Sequence, residues 1–249
     1  PDMRLLDRCL RKLLLAIEVA RADGAVRTVA IALVDNSANR MVAGNVIRLT
    51  QARFAEANVQ LAYLHGHANI GYGAAHNLVL HGSGADYHLV LNPDVELAAD
   101  ALLNAVRWMN VHPDVGAIAP QVKRRDGTRD YLVKRKPAVL DLALRGFMPR
   151  VGRLLFRSRL DRYEMRDVID ADPERDIVDV AAMSGACMLL RRKAVDQTGG
   201  FDPRFFLYFE DYDWTVRLNK VTRTAYVPSF EVVHHGGGAS RKGMRHVGH

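Results

Sequence analysis

Apolar residues recur along this chain with two alternating periods. Met3–Ala20 (MRLLDRCLRKLLLAIEVA) carries them at helical spacing without proline or glycine, which predicts an amphipathic helix. Arg27–Val34 (RTVAIALV) is a short apolar run that stops at Asp35-Asn36-Ser37, the pattern of a buried strand entering a turn. Val59–Leu64 predicts a second strand. Asn69–Asn77 (NIGYGAAHN) reads as a glycine-containing turn opening a helix to about His81, closed by Gly82-Ser83-Gly84. Tyr87–Leu91 predicts a third strand that ends at Asn92-Pro93-Asp94. Ala98–Val111 predicts a helix with Leu102, Ala105, Val106 and Met109 on one face, and Val115–Ala119 a fourth strand. Strands alternating with helices predict an α/β fold whose central sheet is mostly parallel and flanked by crossover helices.

The pattern fails between Lys123 and Arg175, where periodicity is poor and Pro137, Pro149 and Gly152 interrupt the chain. Val139–Leu160 is amphipathic in parts, with leucines and Phe147 among arginines. Lys123–Arg166 holds 14 Lys and Arg against 5 Asp and Glu, a local +9 within a net charge of +7 for the 249 residues. The basic character is therefore local, and it suits an anionic partner such as a lipid-linked diphosphate or a membrane surface. Regular order resumes at Ile177–Val180 and Ala186–Leu190. A short helix closed by Gly199-Gly200 follows, then Phe205–Trp214, a helix to about Lys220, and strand-like Ala225–Val227 and Val232–His234.

Length fits one large domain or two small ones, and the composition is that of a globular protein. No apolar run approaches the ~20 residues of a membrane span, and no leader-like segment is visible. The expectation is a cytoplasmic protein, with residues 123–166 touching the inner face of the membrane. Cys9 and Cys187 lack metal-type spacing and read as two buried thiols.

Three places carry candidate chemistry. Asp35 and Asp94 each follow an apolar strand directly, and parallel strands would put both carboxylates on the sheet edge where ligands bind. Asn92-Pro93-Asp94 offers an amide oxygen and a carboxylate two residues apart, hard ligands suited to a divalent ion that bridges a diphosphate. Phe205–Trp214 (FFLYFEDYDW) packs Glu210, Asp211 and Asp213 among six aromatics. Helix capping would need one of these acids, and that many aromatics are costly to expose. Aromatic walls beside a carboxylate suit a sugar site in which the acid accepts a hydroxyl proton. The pattern alone does not choose among the three acids. His234-His235 follow a strand, where neighbours point to opposite faces, so one of the two at most serves a given site.

In this order the motifs become familiar. VDNS (Val34–Ser37), NIGYGAAHN, LNPDVEL (Leu91–Leu97), SGACMLLRR (Ser184–Arg192), GGFDPRFFLYFEDYDW (Gly199–Trp214) and HHGGGAS (His234–Ser240) resemble the inverting family 2 glycosyltransferases of the GT-A fold. The likeness is greatest to bacterial rhamnosyltransferases that build polysaccharides, lipopolysaccharide and O-antigens. The resemblance implies a nucleotide-sugar donor, dTDP-rhamnose, a glycan or lipid-diphosphate-linked acceptor, and Mg²⁺ or Mn²⁺. It implies that Asp35, Asn36, Asn69, Gly71, Tyr72, Asn77, Asn92 and Asp94 bind the donor, and that Asp94 and His234 hold the metal. Asp211 would be the general base with Glu210 beside it, Asp213 structural, and Ser184, Gly185, Tyr208 and Trp214 the acceptor and sugar pocket. The family sets an apolar strand ahead of the helix that begins here at Met3, so residues 1–249 read as one domain lacking that strand. Residues 1–120 would bind the donor, 121–176 form the basic insert, and 177–249 supply the acceptor and catalytic half.

Other classes remain as expectations to be tested. A nucleotidyltransferase shares the sheet and the metal-bound diphosphate, and a transferase could use a UDP- or GDP-sugar. A nucleic-acid-binding module would explain the basic block but not the acidic–aromatic segment. A carbohydrate-binding protein without catalysis has no need of the strand-end acids.

Overall fold

A computed structural model describes residues 2–37, 44–82, 84–136, 138 and 155–236. Helix α1 (Met3–Ala22) begins at Asp2, whose carboxylate accepts the Arg4 N–H at 3.0 Å and so satisfies one open donor of the first turn. Its apolar stripe, Leu6, Leu10, Leu13, Leu14 and Ile17, is buried as the periodicity predicts. β1 (Ala30–Val34), α2 (Gly44–Glu56), β2 (Gln60–Leu64), α3 (Tyr72–Leu80), β3 (Tyr87–Leu91), β4 (Val95–Leu97), α4 (Ala101–Val111) and β5 (Val115–Arg124) follow. Then come β6 (Arg129–Asp130), β7 (Val133–Lys134), α5 (Arg157–Tyr163), α6 (Arg166–Ile169), β8 (Ile177–Val178) and β9 (Ala182–Met183). The chain closes with β10 (Cys187–Arg191), α7 (Arg192–Thr198), α8 (Glu210–Leu218) and β11 (Arg223–His234).

The main sheet runs β3-β10-β5-β11-β4, with β6 on β5 and β8 on β11. β5 is its centre, buried from Val115 to Val122. Alternation along its strands makes two cores. Ile118, Val122, Cys187 and Leu189 face α1 and α4, while Ala117, Ala119, Met188 and Leu190 face Phe201, Trp214 and Leu218. Both cysteines are free and buried, as expected.

Strand direction departs from the expected mostly parallel sheet. Among the described residues of the main sheet only β5 and β11 pair parallel; β10 runs antiparallel to both β3 and β5, and β4 antiparallel to β11. Alternation of strands and helices predicts parallel pairing only where each connection crosses over the sheet. Here β10 starts at the end of the sheet where β5 leaves it, so it runs reversed.

The three residues Asn92–Asp94 link β3 to β4, yet these strands lie at opposite ends of the sheet order. Four strand spacings of a flat sheet span about 19 Å, more than the ~13–14 Å that four residue steps can reach. The sheet therefore curls back on itself. β11 accommodates this with a register shift between Val227 and Glu231, a bulge of the kind that bends a strand. The curl brings the end of β3, the start of β4 and the end of β11 together.

β1 and β2 form a separate parallel pair. Among the described residues, the second edges of β1 and β3 have no strand partner, although Ile31, Leu33, Leu89 and Leu91 pack partly buried on the core. β5 runs through residue 120 to Arg124, so the expected boundary of the basic insert falls inside a strand. Most of the amphipathic stretch read at Val139–Leu160, and Gly237–Ser240, lie outside the described residues. Among the described residues no helix is long and apolar enough to cross a membrane.

Candidate active site

The turn after β1 meets the turn before α3. Asp35 accepts the Ser37 N–H at 3.0 Å and the Tyr63 hydroxyl at 2.6 Å. Burial pushes its pKa up, but these hydrogen bonds outweigh burial and hold the carboxyl below its ordinary range, so Asp35 stays anionic. Asn36 donates to Asn69 Oδ1 at 3.0 Å and to the Gly71 carbonyl at 3.1 Å, and accepts the Ile70 N–H. Asn69 Oδ1 also accepts the Gly71 N–H. These two amides, expected at the donor, thus tie the two turns to each other. Asn77, also expected at the donor, has its amide bonded to the Phe201 carbonyl at 2.7 Å and N–H at 3.0 Å, which fastens α3 to the Gly200-Phe201 turn.

Tyr72 joins this region to the rest of the site. Its hydroxyl reaches the Gly185 carbonyl at 2.7 Å and the Asn92 amide at 3.0 Å. Gly185 N–H donates in turn to Asp211 Oδ2 at 3.0 Å. Four expected site residues on four separate segments are therefore linked by hydrogen bonds. Ser184 N–H bonds the Leu132 carbonyl, and its hydroxyl accepts the Ala186 N–H.

At the curl of the sheet, His234 Nε2 lies 3.5 Å from Asp94 Oδ2 and its Nδ1 3.7 Å from Asp130 Oδ2. The two carboxylates raise the imidazolium from its usual 6.5 to about 9, Asp130 acting most strongly. His234 in turn lowers both acids. His235 points the other way, with Nε2 2.6 Å from Glu96, which also faces Arg8 at 2.8 Å. Strand alternation thus assigns His234, not His235, to Asp94. Asp130 was not foreseen: it sits in the basic stretch, and only the pairing of β6 with β5 brings it here. Tyr63 was likewise silent, since nothing local links it to Asp35.

Asp94 and His234 fit a divalent ion in part. A carboxylate oxygen and an imidazole nitrogen face each other, and Mg²⁺ or Mn²⁺ at a diphosphate takes few protein ligands and leaves positions for phosphate and water. No group of three or more His, Cys, Asp or Glu is arranged for an ion among the described residues.

The Phe205–Trp214 segment departs from the expected covering of its aromatics. Phe206, Leu207, Tyr208 and Phe209 are exposed, whereas Glu210 is buried. Tyr208 and Phe209 both adopt left-handed backbone (φ 69°), which swings the chain into α8. Trp214, expected in the sugar pocket, is fully buried; it packs on Phe201 and donates to Thr198 Oγ1 at 2.8 Å. Tyr208, by contrast, stands at the exposed rim. The acids divide cleanly. Asp213 pairs with Arg217 at 2.8 Å. Asp211 accepts the N–H groups of Gly185 and of Tyr212, the latter at 2.8 Å. Burial pushes Glu210 above the usual carboxylate range, and its Oε2 has no hydrogen-bond partner among the described residues. All three lie in the first turn of α8, where the helix dipole favours negative charge.

A curled α/β sheet with an acid–imidazole corner at its strand ends, facing acids at a helix start beneath an aromatic rim, defines a nucleotide-sugar transferase type of molecule. Residues 2–243 match the family model "Glycosyltransferase like family 2", and the chain belongs to that family. It is similar to the N-acetylglucosaminyl-diphospho-decaprenol L-rhamnosyltransferase of Mycobacterium tuberculosis, with 36% identity over 68% of this chain and 56% of the relative. It is also similar to the rhamnosyltransferase WbbL of Escherichia coli K12, with 30% identity over 60% of this chain and 52% of that protein. The chain spans about half the length of these relatives. Among solved structures it resembles GalNAc-T7 with UDP, GalNAc and Mn²⁺, at TM-score 0.55 and 12% identity, covering 83% of this chain and 38% of that one. TarS 1–349 of S. aureus gives TM-score 0.52 and 11% identity, covering 91% and 58%. These neighbours share the GT-A fold that the motifs led us to expect.

Proposed function

We propose that this chain transfers L-rhamnose from dTDP-rhamnose, with inversion, to a hydroxyl of a glycan or lipid-diphosphate-linked acceptor in cell-surface glycan assembly. One observation carries the reading. Asp211, held by two backbone N–H groups under an aromatic rim, is linked through Gly185 and Tyr72 to the Asn92-Pro93-Asp94 turn. The names of the two relatives support rhamnose and, for the mycobacterial one, a lipid-diphosphate acceptor.

In this reading Asp35 contacts the nucleotide base, and Asn36, Asn69 and Gly71 shape the turn beside it. Asp94 and His234 hold Mg²⁺ or Mn²⁺, which when bound neutralises charge growing on the diphosphate. Asp130, at the Nδ1 edge, keeps Nε2 turned toward Asp94. Ser184, Gly185 and Tyr208 border the acceptor. Glu210, with its unpartnered oxygen, orients the attacking hydroxyl. Asp211 takes the hydroxyl proton as the oxygen bonds to the anomeric carbon. The bond from that carbon to the diphosphate breaks, and nucleoside diphosphate leaves with the electron pair.

The division into residues 1–120, 121–176 and 177–249 belongs to this proposal, as does the placing of 123–166 against a lipid diphosphate or the inner leaflet. The unpaired edges of β1 and β3 suit one further apolar strand between them. The test is to incubate the chain with dTDP-rhamnose, Mn²⁺ and a synthetic polyprenyl-diphosphate-GlcNAc. Release of dTDP with a rhamnosylated lipid is expected; release of pyrophosphate would identify a nucleotidyltransferase instead. Parallel reactions with UDP- and GDP-sugars test the donor.

A further inference from the structure

We propose that Tyr72 is a positioning residue that couples the donor turn to the general base; the inference rests on Asp211 acting as that base. Three contacts support it. The Tyr72 N–H donates to the Phe206 carbonyl at 3.0 Å, which fastens the aromatic rim to the start of α3. Gly71 makes room for that contact: a Cβ there would stand 2.7 Å from the Phe206 carbonyl oxygen, and φ is +91°. At the other end of the side chain, the hydroxyl reaches both the Gly185 carbonyl and the Asn92 amide.

The hydroxyl has one proton and two partners. The nearer partner, the Gly185 carbonyl, takes the proton. Asn92 Oδ1, at 3.0 Å, is the second acceptor facing the same O–H, so the phenol spans a near and a farther oxygen on the two halves of the site. Burial and the charges of Asp211 and Glu210 raise the phenol well above its usual value, so it remains a donor at neutral pH.

Gly185 is the relay. Its carbonyl is held by Tyr72 and its N–H holds Asp211, so the peptide on each side of one residue is fixed by a different half of the site. The fit is close. A Cβ on Gly185 would lie 3.3 Å from both Asp211 Cβ and Tyr72 Cε1. The path Asn92–Tyr72–Gly185–Asp211 thus sets how far the base stands from the turn that presents the donor. A misplacement of ~1 Å between reacting groups can lower turnover about 10²-fold.

The experiment compares wild type, Tyr72→Phe, Gly185→Ala and Asp211→Asn, using dTDP-rhamnose, Mn²⁺ and polyprenyl-diphosphate-GlcNAc. Steady-state kinetics, calorimetric binding of dTDP and thermal melting are measured on each. Tyr72→Phe keeps the ring and its packing. The expected result is a kcat lower by about 10- to 100-fold, with dTDP affinity and melting temperature close to wild type, and Gly185→Ala moving kcat in the same direction. A Tyr72→Phe kcat within about twofold of wild type would overturn the proposal. So would equal losses in kcat and dTDP affinity together with a large fall in melting temperature, since those mark mere structural support. Near-normal turnover in Asp211→Asn would remove the base assignment itself, and that result is separate from either Tyr72 outcome.

Discussion

At the curl of the sheet, every acid faces a side-chain cation: Asp94 and Asp130 flank His234, Asp130 also pairs with Arg124 at 2.6 Å, and Glu96 meets His235 and Arg8. At the start of α8, Glu210 and Asp211 face none among the described residues. Asp211 is held by backbone N–H groups, and one oxygen of Glu210 has no hydrogen-bond partner among the described residues. The two corners use the same residue types for different tasks. Carboxylates balanced by a titratable cation can exchange it for a metal ion. Carboxylates held by neutral amides and a helix dipole stay oriented and keep lone pairs free for a proton.

The largest effect should separate the corners by rate. Asp211→Asn keeps the shape and removes the basic oxygen, so transfer should fall by about 10²–10⁴-fold. Initial rates of dTDP release check this, and a loss under tenfold would break the contrast. The next effect sharpens the boundary of the acidic corner. Trp214→Ala should destabilise the fold by about 3–5 kcal/mol, as expected for a large buried aromatic, in urea or thermal unfolding. Unchanged stability with a raised acceptor KM would return Trp214 to the pocket.

Smaller effects belong to the metal corner. Asp130→Ala should weaken Mn²⁺ binding by about 10- to 100-fold, the usual result of removing an outer partner of a ligating histidine. Titration of free Mn²⁺ by electron paramagnetic resonance, with dTDP present, reads this directly; Arg124→Gln, which leaves Asp130 facing His234, should not show it. The smallest effect is in pH. His234 is raised to about 9 from 6.5, so its charge pairs stabilise the metal-free fold fully below pH 6.5. That contribution is lost as pH rises through 9. Thermal melts across this window should fall in wild type and lack this component in His234→Asn.

Much of this was legible beforehand, for identifiable reasons. The ends of β3 and α4, the Asp94 turn and the opposite facing of His234 and His235 follow from local periodicity. The mostly parallel sheet failed because alternation carries no information about where a long connection re-enters. Asn36, Asn69 and Asn77 bond backbone groups up to 124 positions away, which no spacing rule encodes. Asp130 reaches the site through a two-residue strand inside a stretch whose composition points elsewhere. In Phe205–Trp214 the aromatics were expected to be covered, yet Phe206, Tyr208 and Phe209 are exposed and only Trp214 is fully buried. Two consecutive left-handed residues reverse the facing that period alone would set.

The division of labour between the corners is tested most directly by calorimetric titration of dTDP-rhamnose with Mn²⁺ into wild type, Asp94→Ala and Asp211→Asn. Donor affinity should be retained in Asp211→Asn and strongly weakened in Asp94→Ala. Equal loss of donor affinity in both variants would contradict it.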